Sequence, residues 1–284
     1  MSSLTEIVSL PSPITICDIG AALAEQPVYG PLVATGAARI VGFEPAPAEC
    51  ERLNATYGAP HRFYPHFIAD GRPHTFHETN YTMTGSLFEP NNELNGCFTN
   101  LAELLQPVAQ HPVETTRLDD VDGLDDIDFL KIDVQGAELM TFQNAPRLLA
   151  KTLVIQTEVL FVMHYKDQPL FAEVDQELRA KGFQFHTFEG FGSRAFKPLL
   201  NGHKSRGFRQ IIWSDAVYVR DWMKLDAIPD DKMLKYAVIA NDILQSPDLA
   251  HFVLKALDKR RGSDWAPRYR ALLNVKSHKP AVPP

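Results

Sequence analysis

Ile14-Thr15-Ile16-Cys17-Asp18-Ile19-Gly20-Ala21-Ala22 is the stretch on which the fold turns. Its β-branched and apolar residues predict a strand over Ile14 to Asp18, and an acid followed two residues later by glycine ends that strand in a tight turn. Comparable apolar runs recur at Arg39 to Glu44, Phe63 to Ala69, Phe129 to Asp133, Leu153 to Glu158, Phe183 to Phe188 and Gln210 to Val219. Between them, Pro47 to Tyr57, Ala137 to Leu149 and Leu170 to Lys181 place apolar residues three and four apart, the period of crossover helices. Alternation of this kind predicts an α/β fold with a mostly parallel sheet covered on both faces. Glu189 to Arg209 holds several glycines and no helical stripe, which suits a long hairpin and makes the last strand antiparallel.

The composition fits a packed globular chain. Of 284 residues, 45% are hydrophobic and 22% charged, and 28 basic against 35 acidic residues give a net charge of −7. An acidic balance argues against broad nucleic-acid binding, which needs a basic surface. No apolar run approaches the 18 or so residues of a membrane span; Gln156, Thr157 and Glu158 interrupt the longest, Leu153 to Met163. Met1 to Leu10 carries no Lys or Arg and does not read as a secretory signal. Cys17, Cys50 and Cys97 lack the paired spacing of a zinc site. The expected location is cytoplasmic.

Three parts are expected: a catalytic domain over 1–220, a helical extension over 221–275 and a disordered tail over 276–284. Thr75 to Thr116 reads as an insertion, with a hairpin near His74 to Thr79, a loop through Gly85 to Asn92 and a helix near Thr99 to Leu105. In the extension, Met233 to Leu244, Leu249 to Leu257 and Ala266 to Leu272 read as helices, broken at Ser246-Pro247 and Gly262-Ser263. Charge divides along the same line: 17 basic and 27 acidic residues up to Arg220, then 11 basic and 8 acidic. The basic stretch Lys255 to Lys279 reads as a solvated helix face, or as a surface for an anionic partner, and the extension as a route to a homo-oligomer. Six aspartates between Asp119 and Asp128 lack the spacing of a calcium loop and read as a solvated turn.

Ligands of open α/β sheets sit at the carboxyl ends of the strands. The first strand ends with Asp18 and Gly20, without the G-x-G-x-x-G that cradles a pyrophosphate. A carboxylate there suits a cationic cofactor such as S-adenosylmethionine. The second strand ends Gly42-Phe43-Glu44-Pro45, with Glu44 near the separation at which nucleotide sheets bind ribose hydroxyls. The third ends Ala69-Asp70-Gly71, where Asp70 suits an adenine amine. Each acid alone could be a surface carboxylate; three in successive strand ends favour a nucleoside-bearing cofactor.

With these stretches, Asp128-Phe129-Leu130-Lys131-Ile132-Asp133-Val134-Gln135-Gly136-Ala137-Glu138 resembles the FkbM-type S-adenosylmethionine-dependent methyltransferases. Thr157-Glu158-Val159, Tyr165-Lys166-Asp167-Gln168-Pro169-Leu170-Phe171 and Lys181-Gly182-Phe183 extend the resemblance, which spans Ile14 to Val219. It implies a Rossmann-like class I methyltransferase with a seven-stranded, mostly parallel sheet and a reversed last strand. It also implies that Asp18, Gly20 and Glu44 touch the cofactor, to which Ala21 and Pro45 of the same motifs are added. Ala22 and Ala24 depart from the pattern, standing where many such enzymes keep glycine, and Pro27 soon interrupts the following helix.

Methyl transfer to a hydroxyl needs alignment and a base or metal that activates the oxygen. Asp133 and Glu158, at the fourth and fifth strand ends, fit either role, as a base or as oxygen ligands of a divalent cation. Lys131 shares a strand face with Asp133 and is either functional or an ion-pair partner of Asp133 or Glu138. His164, Tyr165 and Ser86 are the expected acceptor contacts, with an ordinary loop role as the alternative for His164 and a simple turn role for Ser86. The leading reading is an O-methyltransferase acting on a sugar hydroxyl of a glycan or glycosylated metabolite. An NAD-dependent oxidoreductase and a non-catalytic methyltransferase-like scaffold are the rivals.

Overall fold

The computed structural model describes residues 3–21 and 27–273. Residues 15–21 and 39–221 form one compact unit, and residues 3–14, 27–38 and 222–273 a second. The expected tail, with Ala22 and Ala24, lies outside the described residues.

Among the described residues there are ten strands: β1 (Ile14–Ile19), β2 (Ala38–Phe43), β3 (Arg62–Tyr64), β4 (Phe67–Ile68), β5 (Pro73–Thr79), β6 (Pro107–Thr116), β7 (Phe129–Ile132), β8 (Val154–Leu160), β9 (Phe183–Ser193) and β10 (Ile211–Arg220). Seven make one sheet in the order β3-β2-β1-β7-β8-β10-β9. The ladders β2–β3, β1–β7 and β7–β8 are parallel, while β10 runs against both β8 and β9. This is the sheet that the resemblance implies, and the reversed strand is the one expected. Every residue of β1 is buried, as in a strand covered on both faces. Leu130, Ile132, Phe142, Leu148, Ile155 and Leu178 belong to the core this covering creates.

Two expectations fail at prolines. Phe63 to Ala69 is not one strand: Pro65 cannot donate a ladder hydrogen bond, so β3 stops at Tyr64 and β4 joins a second sheet, β4-β6-β5. Likewise Pro146 divides the expected helix Ala137 to Leu149 into Glu138–Gln143 and Pro146–Leu149. β6 has no counterpart in the sequence reading. Most of it is exposed and it carries two prolines, so no apolar alternation announces it. Within the insertion, helices form over Asn92–Gly96 and Leu101–Leu104.

Arg220 locks the amino edge of the reversed hairpin. Its guanidinium donates to the carbonyls of Thr152, Lys181 (2.9 Å) and Leu149, and lies 4.0 Å from the centre of the Phe183 ring. Arg220→Met leaves three carbonyls without this donor, and a loss of about 2–3 kcal/mol is expected. Calorimetry should show a melting point about 5–10 °C lower. Arg220→Lys should rescue little, because an ammonium cannot reproduce the planar fork. An unchanged melting point for Arg220→Met would remove this role.

The second unit is helical. Asp230–Val238 continues into a π-turn at Ile239–Ile243, followed by Pro247–Arg261 and Trp265–Leu273. Asp258 starts the last helix by accepting from the amides of Trp265 (3.0 Å) and Ala266 (2.8 Å). Arg260 and Arg261, part of the basic stretch, both bind Asp230 (2.9 and 2.7 Å). Among the described residues no helix is long and apolar enough to cross a membrane.

Candidate active site

A cavity of about 580 Å3 opens at the carboxyl ends of β1, β2 and β7. Gly20, Glu44, Pro45, Asp133 and Gln135 line one side, Phe43 and Ile68 are among its apolar lining, and the insertion contributes Phe76, Thr82, Met83 and Ser86. Gly20 is the hinge of the arrangement. Its φ is +80°, its amide donates to the Phe43 carbonyl (3.0 Å), and a Cβ built on it would stand 2.1 Å from the Asp133 carbonyl oxygen. Glycine alone therefore lets the tips of β1 and β7 close on each other.

Glu44 is partly buried in the wall, and its Oε1 accepts from the Ala46 amide (2.9 Å). Burial raises its pKa; the Ala46 amide opposes this, while Glu49 and Asp18 add to it. Asp18 lies deeper, buried, with Lys131 Nζ at 3.4 Å from its Oδ1. Burial opposes the charge of Lys131, but Asp18, Asp133 and Asp215 outweigh it and hold the ammonium above the ordinary lysine value. The partner of Lys131 is thus Asp18 of the neighbouring strand, rather than Asp133 or Glu138.

Past β7 the chain turns through Gln135 at φ +55°, and this residue gathers the site. Its Nε2 donates to Asp133 Oδ1 (2.7 Å) and Glu158 Oε2 (2.9 Å), while its Oε1 accepts from the Tyr165 hydroxyl (2.9 Å). Ser86 Oγ donates to the Gln135 carbonyl (2.6 Å), pinning the strained backbone. Glu138 turns back to accept from the amides of Val134 (2.8 Å) and Gly136 (2.9 Å), and burial is the main force that pushes its pKa up to about 7. Burial, followed by the charges of Asp133, Glu138 and Asp215, raises Glu158 well above the carboxylate range. Oxygens of Asp133, Glu138 and Glu158 lie within 4.8 Å of one another, a spacing that hard-cation ligands share.

Of the residues expected from sequence, the cavity brings together Gly20, Glu44, Pro45, Ser86 and Asp133. Ala21 is buried behind the turn, its amide on the Phe43 carbonyl (3.2 Å). Glu158 and Tyr165 meet this group through Gln135. Asp70 follows β4 rather than a strand of the large sheet, and bonds to His74 (2.8 Å), the Arg72 amide (3.1 Å) and Thr115 (3.3 Å), so the fold does not bring it to the cavity. His164 is a core residue: its Nδ1 pairs with Asn95 Oδ1 (3.0 Å), and burial, aided by Arg194, pushes its pKa down to about 4. Gln135, part of the motif Asp128 to Glu138, is not among the site residues expected from sequence, although its place between Asp133 and Gly136 at a strand tip is an available signal. Thr82 and Met83 had none.

The methyltransferase FkbM domain matches residues 18–185, more than half of the chain. No curated protein matches the chain. Among solved structures, magnesium protoporphyrin IX methyltransferase from Synechocystis PCC 6803, with bound SAM, is similar at 11% identity over 74% of this chain and 71% of that one, with a TM-score of 0.38. A ribosomal protein L11 methylase from Lactobacillus delbrueckii subsp. bulgaricus is similar at 13% identity over 75% and 73%, with a TM-score of 0.35. The strand order and the reversed β10 make the sheet unit a Rossmann-like, class I methyltransferase fold.

Proposed function

Because the chain belongs to the FkbM family of methyltransferases, we propose that it is an S-adenosylmethionine-dependent O-methyltransferase that methylates a sugar hydroxyl of a glycan or glycosylated metabolite. The observation that carries this reading is one cavity lined both by Gly20 and Glu44 and by Asp133 and Gln135. When bound, S-adenosylmethionine supplies an electrophilic methyl group on a sulfonium. Glu44 would hold its ribose hydroxyls, and Phe43 and Ile68 would face its base. The acids around the cavity favour a cationic cofactor over one with a pyrophosphate, for which the turn at Gly20 offers no glycine-rich cradle.

An alcohol oxygen gains nucleophilicity as its proton leaves, and Asp133, on the cavity wall, is the acceptor of that proton. Gln135 fixes the Asp133 carboxylate through its amide, and Tyr165 and Ser86 fix Gln135 in turn. Glu158 acts through Gln135 as a positioning group. Thr79, Thr82, Glu78 and His111 of the insertion also line the cavity and offer the hydrogen-bonding groups that a polyhydroxylated acceptor needs.

Calorimetric titration with S-adenosylhomocysteine should give saturable binding, weakened about 10- to 100-fold in Glu44→Ala, which removes charge-assisted hydrogen bonds. NAD binding without any response to S-adenosylhomocysteine would sink the reading. Incubation with labelled S-adenosylmethionine and fractionated extract, followed by mass spectrometry, identifies the acceptor. Label on a carbohydrate oxygen is expected; label on an amine or a carboxylate would overturn the sugar assignment.

A further inference from the structure

The connection between β9 and β10 combines features that the proposed reaction does not use. Between Gly190 and Gln210 the chain holds Arg194, Lys197, Lys204, Arg206 and Arg209 and no acidic residue. In the same span Phe191, Phe196, Leu199, Leu200 and Phe208 are 54, 54, 64, 63 and 57% exposed. Large apolar side chains on a soluble surface normally stand singly; four in one basic loop, with Phe191 at the end of β9 that leads into it, mark an interaction surface.

The loop is held in place. Thr99 donates its amide to the Ala195 carbonyl (3.0 Å) and its hydroxyl to the Lys204 carbonyl (2.9 Å), and the Lys197 amide reaches Cys97 (2.9 Å). The Phe196 ring packs on buried Phe98, 4.6 Å between centroids. Binding through this loop therefore carries a small ordering cost. Lys197 is engaged by Glu103 (3.3 Å), while Lys204, Arg206 and Arg209 are further exposed positive charges of the loop. Arg194 and Arg209 also line a cleft of about 250 Å3 between Phe196 and Phe208, where Arg194 Nε is buried with no hydrogen-bond partner among the described residues.

Register fixes where the loop lies. Trp213, near the start of β10, stands opposite Leu160 at the end of β8, and Ile211 opposite Ser193 at the end of β9. The connection thus leaves the carboxyl edge of the sheet, the edge that carries the cavity. We propose that this loop docks the protein on an anionic phospholipid bilayer, its apolar side chains entering the interface and its basic groups meeting lipid phosphates. Apolar insertion and attraction to anionic headgroups act together in such binding, and neither alone explains the joint exposure seen here. Docking in this orientation turns the cavity edge toward the membrane surface.

Vesicle flotation tests the proposal with the full chain. Wild type should float with vesicles containing phosphatidylserine and remain behind with phosphatidylcholine alone. The triple variant Lys204→Glu, Arg206→Glu, Arg209→Glu should lose about 100-fold in affinity or more. The double variant Leu199→Ser, Leu200→Ser should lose about 10-fold or more. All five positions are exposed, so unchanged thermal melting is expected; should one variant melt early, the other decides. Three results would overturn the proposal: wild type binding neutral and anionic vesicles alike or neither, folded variants floating like wild type, or a loop that captures RNA while ignoring vesicles.

Discussion

Gly20→Ala is expected to lower stability by about 3–4 kcal/mol and to abolish measurable binding of S-adenosylhomocysteine. Two costs combine. The residue sits at φ +80°, where an L side chain is strained by about 1–2 kcal/mol. The new methyl would also stand 2.1 Å from the Asp133 carbonyl oxygen, a backbone atom that can yield only by moving the end of β7. That movement carries Asp133 and Gln135 with it, so the substitution reaches both sides of the cavity at once. Gly123→Ala is the control, because Gly123 has φ +74° with nothing within 4 Å of the added carbon. It should cost only the strain, about 1–2 kcal/mol, and leave binding intact. Paired calorimetric melting and titration measure both effects. A Gly20→Ala protein that melts and binds like wild type would show that the close approach of β1 and β7 is unimportant.

How much of this was legible from the chain depends on where each signal resides. β1, β7 and β8 are largely buried on both faces, so apolar residues dominate them and make them readable, even though Lys131 and Gln156 to Glu158 interrupt the pattern. The reversal of β10 was readable because Glu189 to Arg209 cannot form a crossover helix. Gly20, Glu44 and Asp133 stood out because open α/β sheets place ligands at strand ends. Asp70 misled for a related reason: Pro65 ends β3 early, so the acid after Ala69 belongs to the small sheet. Gln135 was hidden because its φ of +55° is imposed by partners distant in sequence, Ser86 and Tyr165, rather than by its own type. For His164 the sequence leaves an acceptor contact and an ordinary loop role both open, because its environment is set by Asn95, 69 residues away in the chain.

Asp133→Asn should reduce kcat by about 100- to 10,000-fold, the range that a general base supplies, with little change in S-adenosylhomocysteine affinity. The amide keeps the shape of the carboxylate and an oxygen for Gln135 Nε2, so the loss isolates proton acceptance from positioning. Glu158→Gln makes the complementary case. In wild type, burial and neighbouring charge raise the Glu158 pKa, so its contribution to stability is full below the unfolded carboxylate pKa and is lost as pH rises through the folded value. Glu138, raised to about 7, acts in the same direction. The stability that these two acids contribute should therefore decline as pH rises from about 5, while buried His164 acts in the opposite sense below its unfolded value; Glu158→Gln isolates the acid, and should melt higher than wild type at pH 8, by about 1–2 kcal/mol, with the gap closing at pH 5. Its kcat should fall less than that of Asp133→Asn, since Glu158 reaches the acceptor only through Gln135. Chelator distinguishes the metal alternative: the base assignment expects turnover to persist in its presence, whereas loss of turnover restored by a divalent cation would make Asp133 and Glu158 ligands instead. If Asp133→Asn retained wild-type kcat while Glu158→Gln lost it, the two roles would have to be exchanged.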